Sequence, residues 1–242
     1  MNWSSSWTYR GELAIQLIKR INSLEEEVAY GWNRLLRYDF YEKNGYNLSL
    51  PETKMMAKLL TWSRQGSLHQ EAEELFRQVI EEDYKSDYYK EGLRALDTMG
   101  IDLEDLARTL DIYQEAWGFK PFDTYTIRLT KYGPGGSYDP KKGHIIIKVK
   151  EDGIASYRAP SEIILHEIIH IALEQAFVQP FDLNHLEKET LVDAFFMGHF
   201  LSYFPDYKIQ RQTYHRIDDY IGKDMDWTQL PQVLETYCAN KY

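Results

Sequence analysis

The amino-acid sequence predicts an α+β fold that is mostly helical, with a small sheet in its second half. Three observations support this prediction. Apolar residues recur at helical spacing through most of residues 1–120, two β-rich segments follow Pro121, and a markedly apolar helix follows those segments. We therefore expect an N-terminal helical region over residues 1–120 and a second domain over residues 121–242, which holds the sheet and a buried helix.

The composition is that of an ordinary globular protein. Hydrophobic residues make up 43% of the 242 residues and charged residues 27%, and a chain of this length can bury a large core. The formal net charge is −10, and no cluster of lysine and arginine stands out in the sequence. Because nucleic-acid binding needs a positively charged surface, we expect no nucleic-acid partner.

The sequence also bears on the cellular compartment. Its single cysteine, Cys238, excludes an intrachain disulfide and a zinc cluster held by several cysteines. The N-terminus has no charged segment followed by an apolar one, and no apolar run reaches membrane-spanning length. We therefore expect a soluble, cytoplasmic protein with no membrane partner.

The N-terminal region reads as a series of amphipathic helices. Apolar residues at steps of three and four predict one long helix from about Tyr9 to Tyr38, with the Glu25-Glu26-Glu27 run on its solvated face. Turn and capping signals then divide the remainder into further helices over about residues 51–60, 70–80, 93–100 and 103–117. We identify no chemistry in this region.

The pattern changes after Pro121. Residues 124–130 and 144–149 predict two strands, and Pro160 opens a helix that runs to about Phe177. Between the strands, a glycine-rich segment over residues 133–136 introduces a stretch around Tyr138. We interpret the stretch around Tyr138 as a loop and residues 133–136 as a hairpin loop, with a mobile flap as the alternative for residues 133–136.

The apolar helix contains the motif His166-Glu167-Ile168-Ile169-His170. Two histidines four residues apart lie on one helical face and can bind the same tetrahedral metal ion, usually zinc. The intervening glutamate can then accept a proton from a water molecule that the metal activates. Polar side chains on a buried helix are costly unless they are satisfied, and a metal ion would satisfy all three. The alternative is that both histidines are metal-free core residues.

A catalytic zinc site needs a third protein ligand, and the next predicted helix offers His185, Glu187 and Glu189. Asn184-x-x-Glu187 has the form of a capping box, which gives Glu187 a structural role. Glu189 shares a helical face with Asp193, so that one can ligate the metal while the other accepts the ring N–H of a ligating histidine. We favour Glu189 as the ligand and keep His185 and Glu187 as alternatives.

The two motifs together resemble the gluzincin metallopeptidases, the thermolysin-like group, whose pattern is H-E-x-x-H on one helix and E-x-x-x-D on the next. The resemblance covers about residues 122–204. It implies a zincin-like metallopeptidase domain with one Zn²⁺ per chain, bound by His166, His170 and Glu189. Glu167 would be the general base, and Asp193 would lie behind a ligand.

The sequence departs from the family in two respects. The extended N-E-x-x-S-D pattern around the third ligand is not matched, and no single position corresponds to the residue that stabilises the oxyanion. His199 and Tyr203 are candidates for that role, and Tyr207, Tyr214 and His215 are also open.

The resemblance implies a zinc-dependent metallopeptidase that hydrolyses peptide bonds in a peptide or protein substrate. We expect the substrate to add as a strand to the sheet, beside residues 124–130 or 144–149. One alternative is a zinc hydrolase that acts on a non-peptide amide or ester, and another is a zincin-fold binding module without activity. The presence of Glu167 favours an enzyme, because a purely structural metal site needs no base.

Overall fold

The structure is a computed structural model that describes residues 15–100, 102–156, 158–210, 216–222 and 225–241. It is a mixed α+β fold in which helices predominate, as the sequence predicts. The strands are β1 Gln16–Ile21, β2 Thr124–Thr130, β3 Gly136–Asp139, β4 His144–Lys150 and β5 Gly153–Ile154. The helices are α1 Leu24–Leu36, α2 Tyr38–Lys43, α3 Lys54–Arg64, α4 Gln70–Asp83, α5 Lys90–Asp97, α6 Leu103–Trp117, α7 Pro160–Leu173, α8 His185–Phe200 and α9 Leu230–Ala239.

The strands form one mixed sheet in the order β1-β2-β4-β3, with the short β5 also paired to β4. Strands β1, β2 and β4 are parallel, whereas β3 and β5 run antiparallel to β4. The predicted strands at 124–130 and 144–149 are thus confirmed, but both have neighbours on each side. The expectation that one of them supplies a free edge is wrong, because β1 and β3 are the outer strands.

The first half of the chain contributes a strand as well as helices. The helix predicted from Tyr9 to Tyr38 is wrong over Gln16–Ile21, which forms β1 and pairs with β2 in register from Gln16 opposite Thr124. The part of that prediction before residue 15 lies outside the described residues. Helix α1 begins after Ser23, where Ser23 and Glu26 form a capping box. The apolar residues of this segment have a spacing that fits a helix, but pairing with β2 determines its structure.

Glu27 is buried, which contradicts the expectation of a solvated glutamate run. Its carboxylate accepts hydrogen bonds from the Tyr89 hydroxyl and Thr130 Oγ1, both at 2.5 Å, and from the backbone N–H of Lys131 at 3.0 Å. A further, longer bond comes from Asn22 Nδ2 at 3.3 Å. Glu27 therefore joins α1 to the end of β2 and to the turn before α5.

Two hydrophobic clusters stabilise the fold. The smaller one lies among α1, α3 and α4, and the larger one holds the sheet together with α5 to α9. Helices α5 and α6 therefore share a core with residues beyond 121, and the proposed boundary at residue 120 stays a prediction. Among the described residues, no helix combines the length and apolar character needed to cross a membrane.

The stretch around Tyr138 is an ordered edge strand where the sequence predicts a loop. Residues Gly136–Asp139 form β3 and pair with β4, from Gly136 opposite Ile147. Just before it, Gly133 and Ser49 exchange two backbone hydrogen bonds of 2.9 Å. This bridge attaches the β3 hairpin to the N-terminal region.

We expect Glu27→Ala to lower the free energy of unfolding by about 3 kcal/mol, because it leaves several buried donors without an acceptor. Urea denaturation measures the change. Glu25→Ala is the matched control, since Glu25 is 70% exposed in its ion pair with Arg77, and it should cost less than about 1 kcal/mol. Equal losses for the two variants would show that the Glu27 network does not stabilise the fold.

Candidate metal centre

Helix α7 carries the His166–His170 motif and is buried on all sides, as the sequence predicts. Every residue from Ser161 to Leu173 is buried. Pro160 occupies the first helical turn, where its missing N–H costs no intrahelical hydrogen bond. The helix lies between the β3–β4 side of the sheet and α8. Its polar side chains consequently depend on the few groups that these neighbours present.

Three of these polar groups converge on one point. His166 Nε2 lies 3.0 Å from His170 Nε2, and Glu189 Oε2 lies 3.4 Å from His170 Nε2 and 4.0 Å from His166 Nε2. Ligand atoms bound to one tetrahedral zinc ion stand about 3.4 Å apart, given bonds of about 2.0–2.2 Å. Two imidazole nitrogens and one carboxylate oxygen are also a common ligand set of catalytic zinc. The His166–His170–Glu189 triad fits such an ion.

Of the three candidates for the third ligand, Glu187 has a structural position. Its backbone N–H bonds to Asn184 Oδ1 at 3.1 Å, and its carboxylate accepts from the Asn184 N–H at 2.7 Å, which confirms the capping box. The same carboxylate accepts hydrogen bonds from the Tyr237 hydroxyl and from Lys241 Nζ. Glu187 thus connects the start of α8 to α9.

His185 lies behind Glu189, on the side away from the triad's two histidines. Its Nδ1 is 3.5 Å from Glu189 Oε1, and its Nε2 is hydrogen-bonded to the Tyr46 hydroxyl at 2.8 Å. Glu189 therefore directs one oxygen to the α7 histidines and the other to His185. His185 orients the carboxylate in this arrangement and is not part of the triad.

Burial and neighbouring charges set the protonation of the triad. Burial, reinforced by the charge of nearby His170, holds the pKa of His166 well below its usual range, so its ring is neutral, the form that binds metals. Burial alone would raise the pKa of Glu189, but the charge of His170 and its hydrogen bond lower it to about 2. The triad thus offers an ionised carboxylate beside neutral His166.

The pKa of Glu167 is shifted in the opposite direction to that of Glu189. Burial raises the pKa of the Glu167 carboxyl group to about 7, with a smaller contribution from the charge of Glu189. A general base works best when its pKa is near the operating pH. Its carboxylate also lies directly against Gly136 of β3, where a Cβ atom would collide with it. Glycine at this position leaves space for the carboxylate.

A tyrosine separates Asp193 from the histidines. The Tyr207 hydroxyl is 3.0 Å from His166 Nδ1 and donates to Asp193 Oδ1 at 2.6 Å. The expectation that Asp193 receives the histidine N–H directly is therefore corrected, since Asp193 acts through Tyr207. Stacking of the Tyr207 ring on Phe196, with centroids 4.0 Å apart, holds the hydroxyl in place. Tyr207 is a positioning residue for His166.

Tyr138 of β3 positions the second histidine. Its ring stacks on His170 at a centroid distance of 5.0 Å and an interplanar angle of 12°. Its hydroxyl donates to Glu174 Oε2 at 2.8 Å and accepts from Lys188 Nζ at 3.1 Å. Within the described residues, His170 Nδ1 has no hydrogen-bond partner, so stacking takes over the orienting role that an acceptor usually fills.

Gln210 also reaches the triad, and sequence reasoning missed it. Its side-chain nitrogen lies 2.6 Å from His166 Nε2, and its backbone N–H donates to Asp193 Oδ2 at 2.8 Å. Gln210 lies in an irregular segment after α8, where no periodic pattern marks it. A ring nitrogen cannot accept a hydrogen bond and bind a metal ion with the same lone pair, so metal binding requires the Gln210 amide to move.

The structure does not bring the two candidate oxyanion stabilisers to the triad. His199 Nε2 is hydrogen-bonded to the Tyr113 hydroxyl at 3.1 Å, and His199 follows Glu189 by ten residues, about 15 Å along the helix axis. Tyr203 is 55% exposed. Neither residue lines the cleft of about 840 Å³ that opens onto the triad. Tyr214 and His215 lie outside the described residues.

Comparison of the chain with protein-family models, curated proteins and solved structures returned no match. The roles assigned below therefore depend on the side chains of this chain and their geometry.

We expect Tyr207→Phe to weaken Zn²⁺ binding about 10-fold or more, because it removes the hydroxyl that connects Asp193 to His166. Competition with a chromophoric chelator measures the affinity. Tyr203→Phe, on an exposed tyrosine nearby in the chain, is the matched control and should leave the affinity unchanged. A Tyr207→Phe variant that binds Zn²⁺ as tightly as the wild type would exclude the positioning role.

Proposed function

We propose that the protein is a zinc-dependent metallopeptidase of the gluzincin type, whose zincin-like domain lies within residues 121–242. The main support for this proposal is the arrangement of side chains around the triad. His166, His170 and Glu189 present three ligand atoms at metal-site spacing beside a buried glutamate, in a cleft of about 840 Å³. A structural metal site needs no such glutamate and no such cleft.

The chemistry follows from the positions of the side chains. When bound, zinc would polarise the scissile carbonyl group and lower the pKa of a water molecule. Glu167 accepts a proton from the attacking water and passes it to the leaving amine, for which a pKa of about 7 is well suited. Tyr207 and Tyr138 hold the two histidine rings while this transfer occurs.

The edge strand β3 is the surface that suits an extended peptide. The Lys148 N–H donates to the Gly135 carbonyl group at 2.8 Å, which fixes the alternation of hydrogen bonds between β3 and β4. Gly136 and Tyr138 consequently direct their backbone groups away from β4, towards the free edge. Residues of β3 line the cleft, so a substrate strand added here would run past Glu167 and His170.

Glu167→Gln should lower kcat/KM at least about 1000-fold, because the amide keeps the shape of the carboxylate but cannot accept the proton. Hydrolysis of a fluorogenic peptide library measures the rate, and elemental analysis of the same sample measures its zinc content, which should not change. Persistence of hydrolysis in this variant at full zinc occupancy would refute Glu167 as the base.

The purified protein should bind one Zn²⁺ per chain, and Glu189→Ala should weaken that binding more than about 100-fold by removing a ligand. Chelator competition and elemental analysis measure both quantities. Glu235→Ala is the matched control, because Glu235 is exposed on α9 and does not line the cleft. Similar losses in both variants, or wild-type protein that takes up no zinc, would contradict the proposed site.

A further inference from the structure

The cleft differs in charge from the chain as a whole. The chain has 28 lysine and arginine residues against 38 aspartate and glutamate residues. Basic side chains outnumber acidic ones in the cleft, and two of its three carboxylates, Glu167 and Glu189, belong to the proposed chemistry. The basic residues that line it are Arg34, Arg37, Lys148, Arg158 and Lys188. A positively charged cleft on an acidic protein favours a ligand with negative charge.

Among the basic residues that line the cleft, Arg34 has a buried hydrogen-bond donor without a partner in the described part of the chain. Its guanidinium group lies over the Tyr30 ring at 4.4 Å and near the Tyr41 ring at 5.6 Å, and donates a hydrogen bond of 3.3 Å to Ser137 Oγ. The donor without a partner is its Nε atom. No described carboxylate lies within ion-pair distance of this group.

Several arginines outside the cleft are paired with a carboxylate. Arg64, Arg77 and Arg94 each meet a glutamate at 2.7–2.8 Å. A partly buried guanidinium group without a counter-ion is costly, and its planar fork matches the two oxygens of a carboxylate. We therefore expect a bound ligand to supply the anion that pairs with Arg34.

The position of Arg34 relates this site to the triad. Ser137, which it contacts, stands on β3 between Gly136, which lies against Glu167, and Tyr138, which stacks on His170. A strand rises by about 3.3 Å per residue, so the distance between Arg34 and the triad corresponds to a few residues of an extended peptide.

Lys148 adds a second positive charge beside Arg34. Ser137 pairs with Ile146, and Lys148 is two residues further along β4, so Lys148 lies diagonally from Ser137 on the same face of the sheet. It is half-buried and, within the described residues, forms no ion pair. Two basic side chains thus flank β3 on the face opposite Tyr138.

We propose that Arg34 and Lys148 form a carboxylate-binding subsite, and that the substrate is a peptide with a carboxylate a few residues from the scissile bond. This inference rests on the proposed peptidase function. The carboxylate is either an acidic side chain or the C-terminus of the peptide, and both present the same chemistry to the arginine fork.

Three sets of fluorogenic, N-acetylated alanine-based peptides test the proposal. One set places a single glutamate at each position in turn and has an amidated C-terminus, the second replaces glutamate by glutamine, and the third is neutral with a free C-terminal carboxylate. We expect kcat/KM to be at least about 10-fold higher for one carboxylate-bearing set than for the glutamine set. The preferred set identifies the source of the carboxylate.

Arg34→Gln should abolish this preference, so that kcat/KM falls much further for the preferred set than for the glutamine set, whereas Arg34→Lys, which keeps the charge, should retain part of the preference. Arg94→Gln, on an exposed arginine outside the cleft, is the matched control. Equal rates for all three sets in the wild type, or equal losses for all sets in Arg34→Gln, would overturn the subsite.

Measuring peptide binding as well as hydrolysis shows whether this inference or the peptidase proposal has failed. If no peptide is cleaved, the peptidase proposal fails, and fluorescence anisotropy of the same labelled peptides then tests the subsite. Tighter binding of a carboxylate-bearing set, lost in Arg34→Gln, supports the subsite without any catalysis. Equal binding of all sets refutes it.

Discussion

The burial of α7 on every side sets the requirements for the whole candidate site. A polar group on this helix has little access to water except where the cleft opens onto the triad, so each one depends on groups that neighbouring elements supply. His166 is hydrogen-bonded to the Tyr207 hydroxyl, and His170 stacks on the ring of Tyr138. The carboxylate of Glu167 fits against Gly136, which has no side chain. The three partners come from the edge strand and from the segment after α8, so the site exists only in the assembled fold.

The third member of the triad depends on the far end of the chain. Glu189 lies in the second turn of α8, whose start is fixed by the Asn184–Glu187 capping box. Glu187 is in turn held by Tyr237 and Lys241, which belong to and follow α9. The C-terminal helix contributes no residue to the triad, yet it stabilises the start of the helix that carries Glu189. Stability of α9 and the geometry of the site are thereby connected.

Features that follow from local sequence spacing could be predicted, whereas features that depend on distant partners could not. The α7 and α8 helices, the Asn184 cap and the convergence of His166, His170 and Glu189 follow from spacing along one or two helices. The strand at Gln16–Ile21 and the buried Glu27 depend on partners about a hundred residues away, which periodicity does not reveal. The edge strand β3 pairs with β4 nearby in the sequence, but its four residues follow a glycine-rich segment that is typical of a turn. Gln210 lies in irregular backbone, where spacing carries no information at all.

The parallel pairing of β1 with β2 has a consequence for how the protein can be divided. A fragment restricted to residues 121–242 would leave β2 with a row of unsatisfied N–H and C=O groups along one side. It would also lose the backbone bridge from Ser49 to the hairpin that carries Tyr138. Such a fragment would be prone to self-association through its exposed strand. The candidate site in residues 121–242 thus depends on β1 and on the Ser49 bridge, which lie in the first half of the chain.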